Sequence, residues 1–188
     1  DHVCAAKAFE CGKRALSELP ENDLRTHELT MLYHTIFGEL ADGTEAAFWL
    51  LRNLDSIHSL TERLSTAMRV AFALRYSGCL EDAERLLRRV HRESLDENLS
   101  AQYSYASWRL SHLFLDAGRI AEAESWFEEF GKRAPVAREP LAAMLYHAHG
   151  VRIALSRSDL MSAKFHAAHA KAAMDEKGNN VRYGSALA

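Results

Sequence analysis

Apolar residues recur along the chain at the three- and four-residue spacing that places them on one face of an α-helix. In residues 2–17 this face carries Val3, Ala6 and Phe9, and segments with the same spacing follow one another as far as residue 176. No segment shows the two-residue alternation that is typical of a half-buried strand. The pattern therefore predicts an all-α protein.

Helix-starting and helix-ending residues set the bounds of the predicted helices. Asn22 or Asp23 suits the cap of a helix, Ser59 to Glu62 forms a capping box, and Pro140 suits a first helical position. The start of one helix stays open between Asp96 and Asn98. The predicted helices cover residues 2–17, 23–37, a segment after Gly38 through Leu54, 59–76, 80–93, 96 or 98 to 116, 120–134, 140–157 and 160–176.

One short phrase returns every 40 residues and organises the whole chain. It begins at Gly38, Gly78, Gly118 and Ser158. Glycine adopts the left-handed conformation that ends many helices at little cost. Five residues after each start stands a small residue, namely Gly43, Ala83, Ala123 and Ala163. The phrase predicts a turn followed by a helix that packs closely on the preceding one. Ser158 lacks the freedom of glycine, so we expect that turn to differ.

The order of small, large and turn residues resembles the tetratricopeptide-repeat family. The matching residues are Ala71, Leu74, Gly78, Ala83, Leu87 and Val90, and then Leu110, Phe114, Gly118, Ala123, Phe127, Phe130 and Pro135. The resemblance covers nearly the whole chain. It implies a right-handed α-α superhelix, a solenoid of about four helix pairs with flanking helices. The single domain would span 1–188, with repeats at about 22–58, 59–97, 98–137 and 138–177.

The outer repeats depart from this family pattern. Thr30 and His34 stand where apolar residues are expected, Gly43 replaces alanine, and Ser158 replaces the turn glycine. The repeat is also longer than the usual one, and long repeats of this kind look like those of bacterial signalling and transcription regulators.

The resemblance further implies that the first helix of each pair lines a concave face that holds a partner. The family's groove positions fall on Met68, Phe72, Arg75, Tyr76, Tyr105, Trp108, His112 and Arg152. Phe72, Tyr76, Tyr105, Trp108 and Tyr146 are alternatively core residues, the usual place of aromatic residues on amphipathic helices. In a groove, aromatic side chains anchor partners, and arginine binds carboxylates through two parallel hydrogen bonds. We therefore expect a non-catalytic sensory or scaffold module of a bacterial cytoplasmic regulator, which binds a protein or peptide in this groove.

Two other classes of function stay open. The chain is alternatively a dimerisation module that holds DNA-binding or diguanylate cyclase output domains together as a homodimer. A small-molecule or metal sensor is a third possibility with less support.

Composition narrows the list of partners. A net charge of −3 over 188 residues argues against a nucleic-acid-binding surface. No uncharged stretch approaches the roughly 20 apolar residues that a membrane-spanning helix needs. Three cysteines without a framework spacing predict reduced, partly buried thiols and a cytoplasmic location. Because an apolar pattern begins again at Val181, Tyr183 and Leu187, we expect the chain to be part of a larger protein.

Two clusters of side chains have a chemical interpretation and a plainer one. His147, His149, His166 and His169 have spacings compatible with metal binding, but no carboxylate or cysteine joins them, which favours surface or groove-edge imidazoles and no metal. The arginine run from Arg85 to Arg92 is interleaved with acidic residues at helical spacing, which favours a solvated face over a phosphate site. No nucleophile or phosphate-loop motif is present, so we expect no enzyme activity and no cofactor from this chain.

Overall fold

In a computed structural model of the chain, residues 23–37, 40–134 and 140–176 are described, together with Cys11, Arg14, Glu18 and Pro20. These residues form eight α-helices and one short 3₁₀ helix, and they contain no strand. The prediction of an all-α protein is confirmed. The predicted helix at 2–17 for most of its length, the turn at Gly38, and the apolar segment after Gly178 lie outside the described residues.

The helices have similar lengths and follow one another at short intervals. They are α1 Leu24–Phe37, α2 Leu40–Asn53, a 3₁₀ helix Leu54–Ser56, α3 Leu60–Tyr76, α4 Leu80–Asp96, α5 Ser100–Asp116, α6 Ile120–Arg133, α7 Pro140–Ser156 and α8 Leu160–Glu176.

The turns after α3, α5 and α7 share one hydrogen-bonded geometry. Gly78, Gly118 and Ser158 have φ values of 78°, 71° and 58°. At each turn, this residue and the residue after it donate hydrogen bonds from their backbone amides to carbonyl oxygens in the last turn of the helix. This is the Schellman arrangement. The expectation that the turn at Ser158 differs is wrong, because the backbone bonds impose the left-handed conformation on serine as well.

The helix starts also have local causes. Asp23 accepts from the amide of Arg25 at 3.0 Å, and Ser59 accepts from the amide of Glu62 at 3.4 Å. Pro140 occupies the first position of α7. The start of α5 lies later than predicted, at Ser100. Asn98, with φ of 56°, closes the turn after α4 instead, because asparagine tolerates the left-handed conformation.

The small residue of the repeated phrase lies at a close helix contact in all four cases. The exposed fraction is 0% for Ala83 and Ala123 and 7% for Ala163. A Cβ atom at Gly43 would lie 3.1 Å from the Cβ of His34, so the helices α1 and α2 approach closely there. Larger side chains at these positions would overpack the helix contact. The predicted close contacts are confirmed, with α1 on α2, α3 on α4, and α7 on α8.

The chain divides into two compact units, Asp1–Ala106 and Ser107–Ala188, and the boundary falls inside α5. In the first unit, α3 also packs against α1 and α2. Its core contains Met31, Leu50, Leu54, Leu64, Val70, Leu74, Leu87 and Val90. In the second unit, α6 also packs against α7. Its core contains Leu110, Leu113, Phe114, Ala123, Phe130, Met144 and Ile153.

Two further findings bear on the environment of the protein. None of the helices α1–α8 combines the length and the apolar character that crossing a bilayer requires. Among the described cysteines, Cys11 is exposed and Cys79 is half-buried, and both are free thiols. Cys11 is thus more accessible than the sequence suggests.

Candidate functional site

In the first unit, the predicted contact residues lie on α3 and on the first half of α5. Met68 and Phe72 are half-buried, whereas Tyr76 is 50% and Tyr105 40% exposed. The rings of Phe72 and Tyr76 lie one helical turn apart with centroids at 4.6 Å. The guanidinium of Arg75 lies 5.3 Å from the centroid of the Tyr76 ring. These contacts hold an aromatic side chain at the surface in a restricted position.

In the second unit, the structure brings together Trp108, His112 and Arg152. The rings of Trp108 and His112 meet edge to face at 4.6 Å. Arg152 donates from Nη1 to Nδ1 of His112 at 2.6 Å and from Nη2 to Oδ1 of Asp116 at 3.0 Å. Because guanidinium only donates, Nδ1 of His112 carries no proton here. Arg152 is therefore oriented by α5 and already paired with a carboxylate.

Behind this group lies a buried histidine. His149 is 1% exposed, and its ring stacks on that of His112 at 3.7 Å with an interplanar angle of 20°. Its Nε2 atom lies 2.7 Å from Oγ of Ser111, and that Oγ also lies 2.6 Å from the carbonyl oxygen of Ala123. The carbonyl only accepts, so the Ser111 hydroxyl donates to it and must accept from His149. Nε2 of His149 thus carries the proton.

The sequence interpretation of His149 as a surface or groove-edge imidazole is wrong. On α7, His149 is buried, and its ring supports the back of the His112 ring. Sequence reasoning also missed Asp116 and Ser111. Asp116 lies one helical turn beyond His112, and this spacing could have indicated from the sequence that the two side chains share a helix face. Its pairing with Arg152 joins residues on two different helices, which the sequence spacing does not reveal.

The other three histidines meet between α7 and α8. Nδ1 of His147 and Nδ1 of His166 lie 3.0 Å apart, so one ring donates and the other accepts. A Cβ atom at Gly150 would lie 2.5 Å from Nδ1 of His166, so glycine makes room for this ring. Nδ1 of His169 contacts the carbonyl oxygen of Phe165 at 2.8 Å. The imidazoles contact each other as parts of a helix interface.

This environment favours the neutral forms of His147 and His166. Burial, together with the neighbouring His166 and His169, lowers the pKa of His147 to about 4. Burial and His169 lower the pKa of His166 too. Within residues 23–37, 40–134 and 140–176, no group of three or more histidine, cysteine or acidic side chains is arranged to hold a metal ion.

The arginine run on α4 is paired along its helix. Arg85 donates to Asp82 at 2.5 Å, Arg88 to Glu84 at 2.8 Å, and Arg89 to Glu93 at 2.6 Å. Arg89 also binds Asp55 at 2.6 Å. Pairs at three- and four-residue spacing are typical of a solvated helix face. This agrees with the plainer interpretation of the run.

The structure leaves each predicted contact residue at or near the surface within its own unit. Aromatic and cationic groups are clustered, and hydrogen bonds and ring contacts fix their orientation. Such an arrangement suits non-covalent recognition of an apolar and acidic segment. The chain matches no protein-family model, and no curated protein is significantly similar to it in sequence.

Proposed function

We propose that the chain is a non-catalytic, tetratricopeptide-like repeat module that binds a protein or peptide segment along the first helices of its pairs. In this proposal the helix pairs stack as a right-handed superhelix, and the partner occupies the concave face. The setting is a bacterial cytoplasmic regulator, in which the module serves as a sensor or scaffold.

The preformed group of Trp108, His112 and Arg152 is the observation that carries the proposal. Arg152 keeps 45% of its side chain exposed although two bonds hold it in place. A guanidinium that is already oriented loses less rotamer freedom when a ligand binds. Trp108 beside it is half-buried and leaves part of its apolar ring accessible, and tryptophan and arginine are enriched among residues that dominate binding energy.

Asp116 has a definite role in this proposal. It is 30% exposed and occupies one edge of the Arg152 guanidinium. An incoming carboxylate, from an acidic side chain or from a free C-terminus, takes the place of Asp116 or shares the guanidinium with it. Asp116 therefore discriminates against weakly held anions, because a ligand must supply further contacts at Trp108 to compete.

A displayed library of random peptides with free C-termini tests the proposal, because the partner need not be identified first. We expect the wild-type chain to enrich peptides that carry an acidic or C-terminal carboxylate next to an apolar residue. For an enriched peptide, Trp108→Ala and Arg152→Ala should each weaken binding by about 1–3 kcal/mol, the range for interface anchors. Calorimetry gives the affinity, and circular dichroism checks that the fold is intact.

The matched control is Arg88→Ala, which removes an arginine whose ion pair with Glu84 lies on the surface of α4. It should leave the affinity unchanged. If Arg88→Ala weakens binding and the variants at Trp108 and Arg152 do not, the partner docks on the outer helices and the proposal is wrong.

A second candidate function, self-association, has an observation of its own on α8. Met161 and Phe165 lie one helical turn apart and are 78% and 55% exposed. The residues 80 positions earlier in the repeat are Glu81 and Arg85, both exposed and charged. An outer helix face that is charged in one repeat and apolar in another suits a two-fold contact between copies.

Sedimentation velocity over a range of protein concentrations decides this alternative. Self-association through α8 predicts a dimer that Phe165→Glu converts to a monomer, with Glu81→Gln as a control that changes nothing. A wild-type chain that stays monomeric at every concentration removes the dimerisation candidate and leaves the peptide-binding proposal untouched.

A further inference from the structure

A cavity of about 320 Å³ lies between α1 and α2 in the first unit. Its lining residues are Thr26, His27, Thr30, His34, Asp42, Glu45, Ala46, Trp49 and Arg52. The volume is at the lower end of the range of about 300–1,000 Å³ for small-molecule sites. The 40-residue repeat explains why a cavity forms here.

In the second and third repeats, large apolar side chains occupy the corresponding positions. Where the first repeat has Thr30 and His34, the second has Val70 and Leu74, both 0% exposed. The third repeat has Leu110 and Phe114 at these positions, also 0% exposed. Opposite them, Ala46 of the first repeat corresponds to Leu86 and Trp126.

The fourth repeat has Gly150 and Ala154 at these positions, and there the space is filled. A Cβ atom at Gly150 would lie within 2.5–2.7 Å of three atoms of the His166 ring. In the first repeat, Ala46 stands in the place of His166 and supplies no such ring. The departures of the first repeat from the common pattern thus combine into one polar cavity that is open to solvent, because Asp42, Glu45 and Arg52 in its lining are exposed.

The polar groups of the cavity favour a cation. At its exposed rim, Asp42 and Glu45 contribute two carboxylates against the single guanidinium of Arg52, and Oδ2 of Asp42 lies 3.9 Å from Nε2 of His34. Burial lowers the pKa of His27, with Glu45 opposing this effect, so that its ring is neutral near neutral pH. The Nε2 atom of His27 is buried and has no hydrogen-bond partner within the described part of the chain. That nitrogen is open to a hydrogen bond with a polar group of a ligand, as donor or acceptor according to the tautomer of the ring.

Two aromatic rings also line the cavity. The rings of His27 and Trp49 stack at 3.8 Å with an interplanar angle of 14°. A stacked pair of rings is rigid and packs well against a planar group, and the face of an indole attracts a cation. Aromatic and anionic groups in one small cavity are the combination that an aromatic amine requires.

We infer that the cavity between α1 and α2 binds a small organic ammonium compound with an aromatic ring, and that the chain senses such a compound. The ammonium group pairs with Glu45 and Asp42, and the ring packs against Trp49. This site is independent of the peptide-binding surface proposed above, since it lies on other helices and uses none of the same residues.

Three probes of nearly the same shape test the charge preference, namely phenethylammonium, 2-phenylethanol and phenylacetate. Saturation-transfer NMR and calorimetry on the whole chain measure their binding. We expect the cation to bind most tightly, the alcohol more weakly and the anion not at all. Glu45→Gln should weaken binding of the cation about tenfold, as expected for loss of a charge-assisted hydrogen bond. Glu81→Gln, which makes the same change on α4 outside the cavity, should have no effect.

A cavity-filling variant separates a ligand site from a mere packing defect. Thr30→Val with His34→Leu restores the residues of the second repeat, so it should raise the urea midpoint of unfolding and abolish binding of phenethylammonium. Restored packing together with lost binding supports the inference, because stability is then being exchanged for a site. Binding that survives the double substitution, or phenylacetate binding as well as phenethylammonium, overturns it. If the double variant does not fold, the comparison of Glu45→Gln with Glu81→Gln decides alone.

Discussion

Replacement of Ser111 by alanine tests the buried hydrogen-bond network that holds His112 in place. The Ser111 hydroxyl donates to the carbonyl oxygen of Ala123 at 2.6 Å and accepts from Nε2 of His149 at 2.7 Å. When the hydroxyl is removed, the carbonyl group of Ala123 remains part of the hydrogen-bonded helix α6. The N–H of His149 loses its acceptor in a side chain that is only 1% exposed.

The expected cost follows from this asymmetry. A buried donor that loses its partner costs about 1–3 kcal/mol, whereas removal of both partners is nearly neutral. Ser111→Ala should therefore lower the free energy of unfolding by about 1–3 kcal/mol in the wild-type background. In a His149→Leu background, where no N–H remains, the same substitution should cost less than about 0.5 kcal/mol. The difference is the coupling energy of a double-mutant cycle.

Urea denaturation of the four proteins at neutral pH measures the cycle. The fluorescence of Trp49, Trp108 and Trp126 reports on both units, and circular dichroism reports on the helices of the whole chain. Long-range ¹H–¹⁵N spectra of the imidazoles test the assignment of the proton directly. If the proton is on Nδ1 of His149, or if Ser111→Ala costs the same in both backgrounds, the proposed direction of these bonds is wrong.

Three further predictions concern stability. Ser158→Gly should raise the free energy of unfolding by about 0.5–1 kcal/mol, because it removes a side chain from a residue with φ of 58°. Gly118→Ser should lower the free energy of unfolding by a similar amount. Thermal unfolding of both variants and the wild type measures these changes. Ala123→Leu should lower the free energy of unfolding, measured by urea denaturation, by about 1–3 kcal/mol, because it overpacks a fully buried contact. Arg88→Ala should lower it by less than about 1 kcal/mol. Equal losses would contradict the close helix contact at Ala123. The pKa of His147 is lowered from 6.5 to about 4, so the unfolded state binds a proton more readily between these values. The stability that neutral His147 contributes should be complete above pH 6.5 and be lost as the pH falls toward about 4. Urea denaturation at a series of pH values in this range should show that the free energy of unfolding declines less steeply for His147→Gln than for the wild type.

Helices and turns are accessible from the sequence because their causes are local. The bonds at Gly78 join residues within a single turn, and the cap at Ser59 joins residues three apart. The 40-residue period alone predicts helix contacts at Ala83 and Ala123, since small residues at fixed intervals need a common packing reason. The errors arise at Ser158, where backbone hydrogen bonds outweigh the preference of a side chain, and at Asn98, because asparagine suits both a helix cap and a left-handed turn.

The candidate site is only partly accessible in the same way. The sequence offers Trp108, His112 and Arg152 as surface contacts, and the structure has them together. The sequence contains no signal that pairs Arg152 with Asp116 or buries His149 against Ser111. These contacts join residues 36 and 38 positions apart, and they depend on how two helices are rotated against each other.

The sequence by itself determined the all-helical class, most helix bounds, the turns and the small residues at the helix contacts. Each of these follows from hydrogen bonds and periodicity within a few residues. Tertiary structure alone decided which polar side chains are paired, which histidines are neutral, and that Thr30 and His34 border a cavity. The loss of a large apolar residue at such a position is compatible with filled space, as beside Gly150, or with unfilled space, as beside Thr30 and His34. The side chains of the neighbouring helix decide between the two, because they determine how much of the space between the helices is filled.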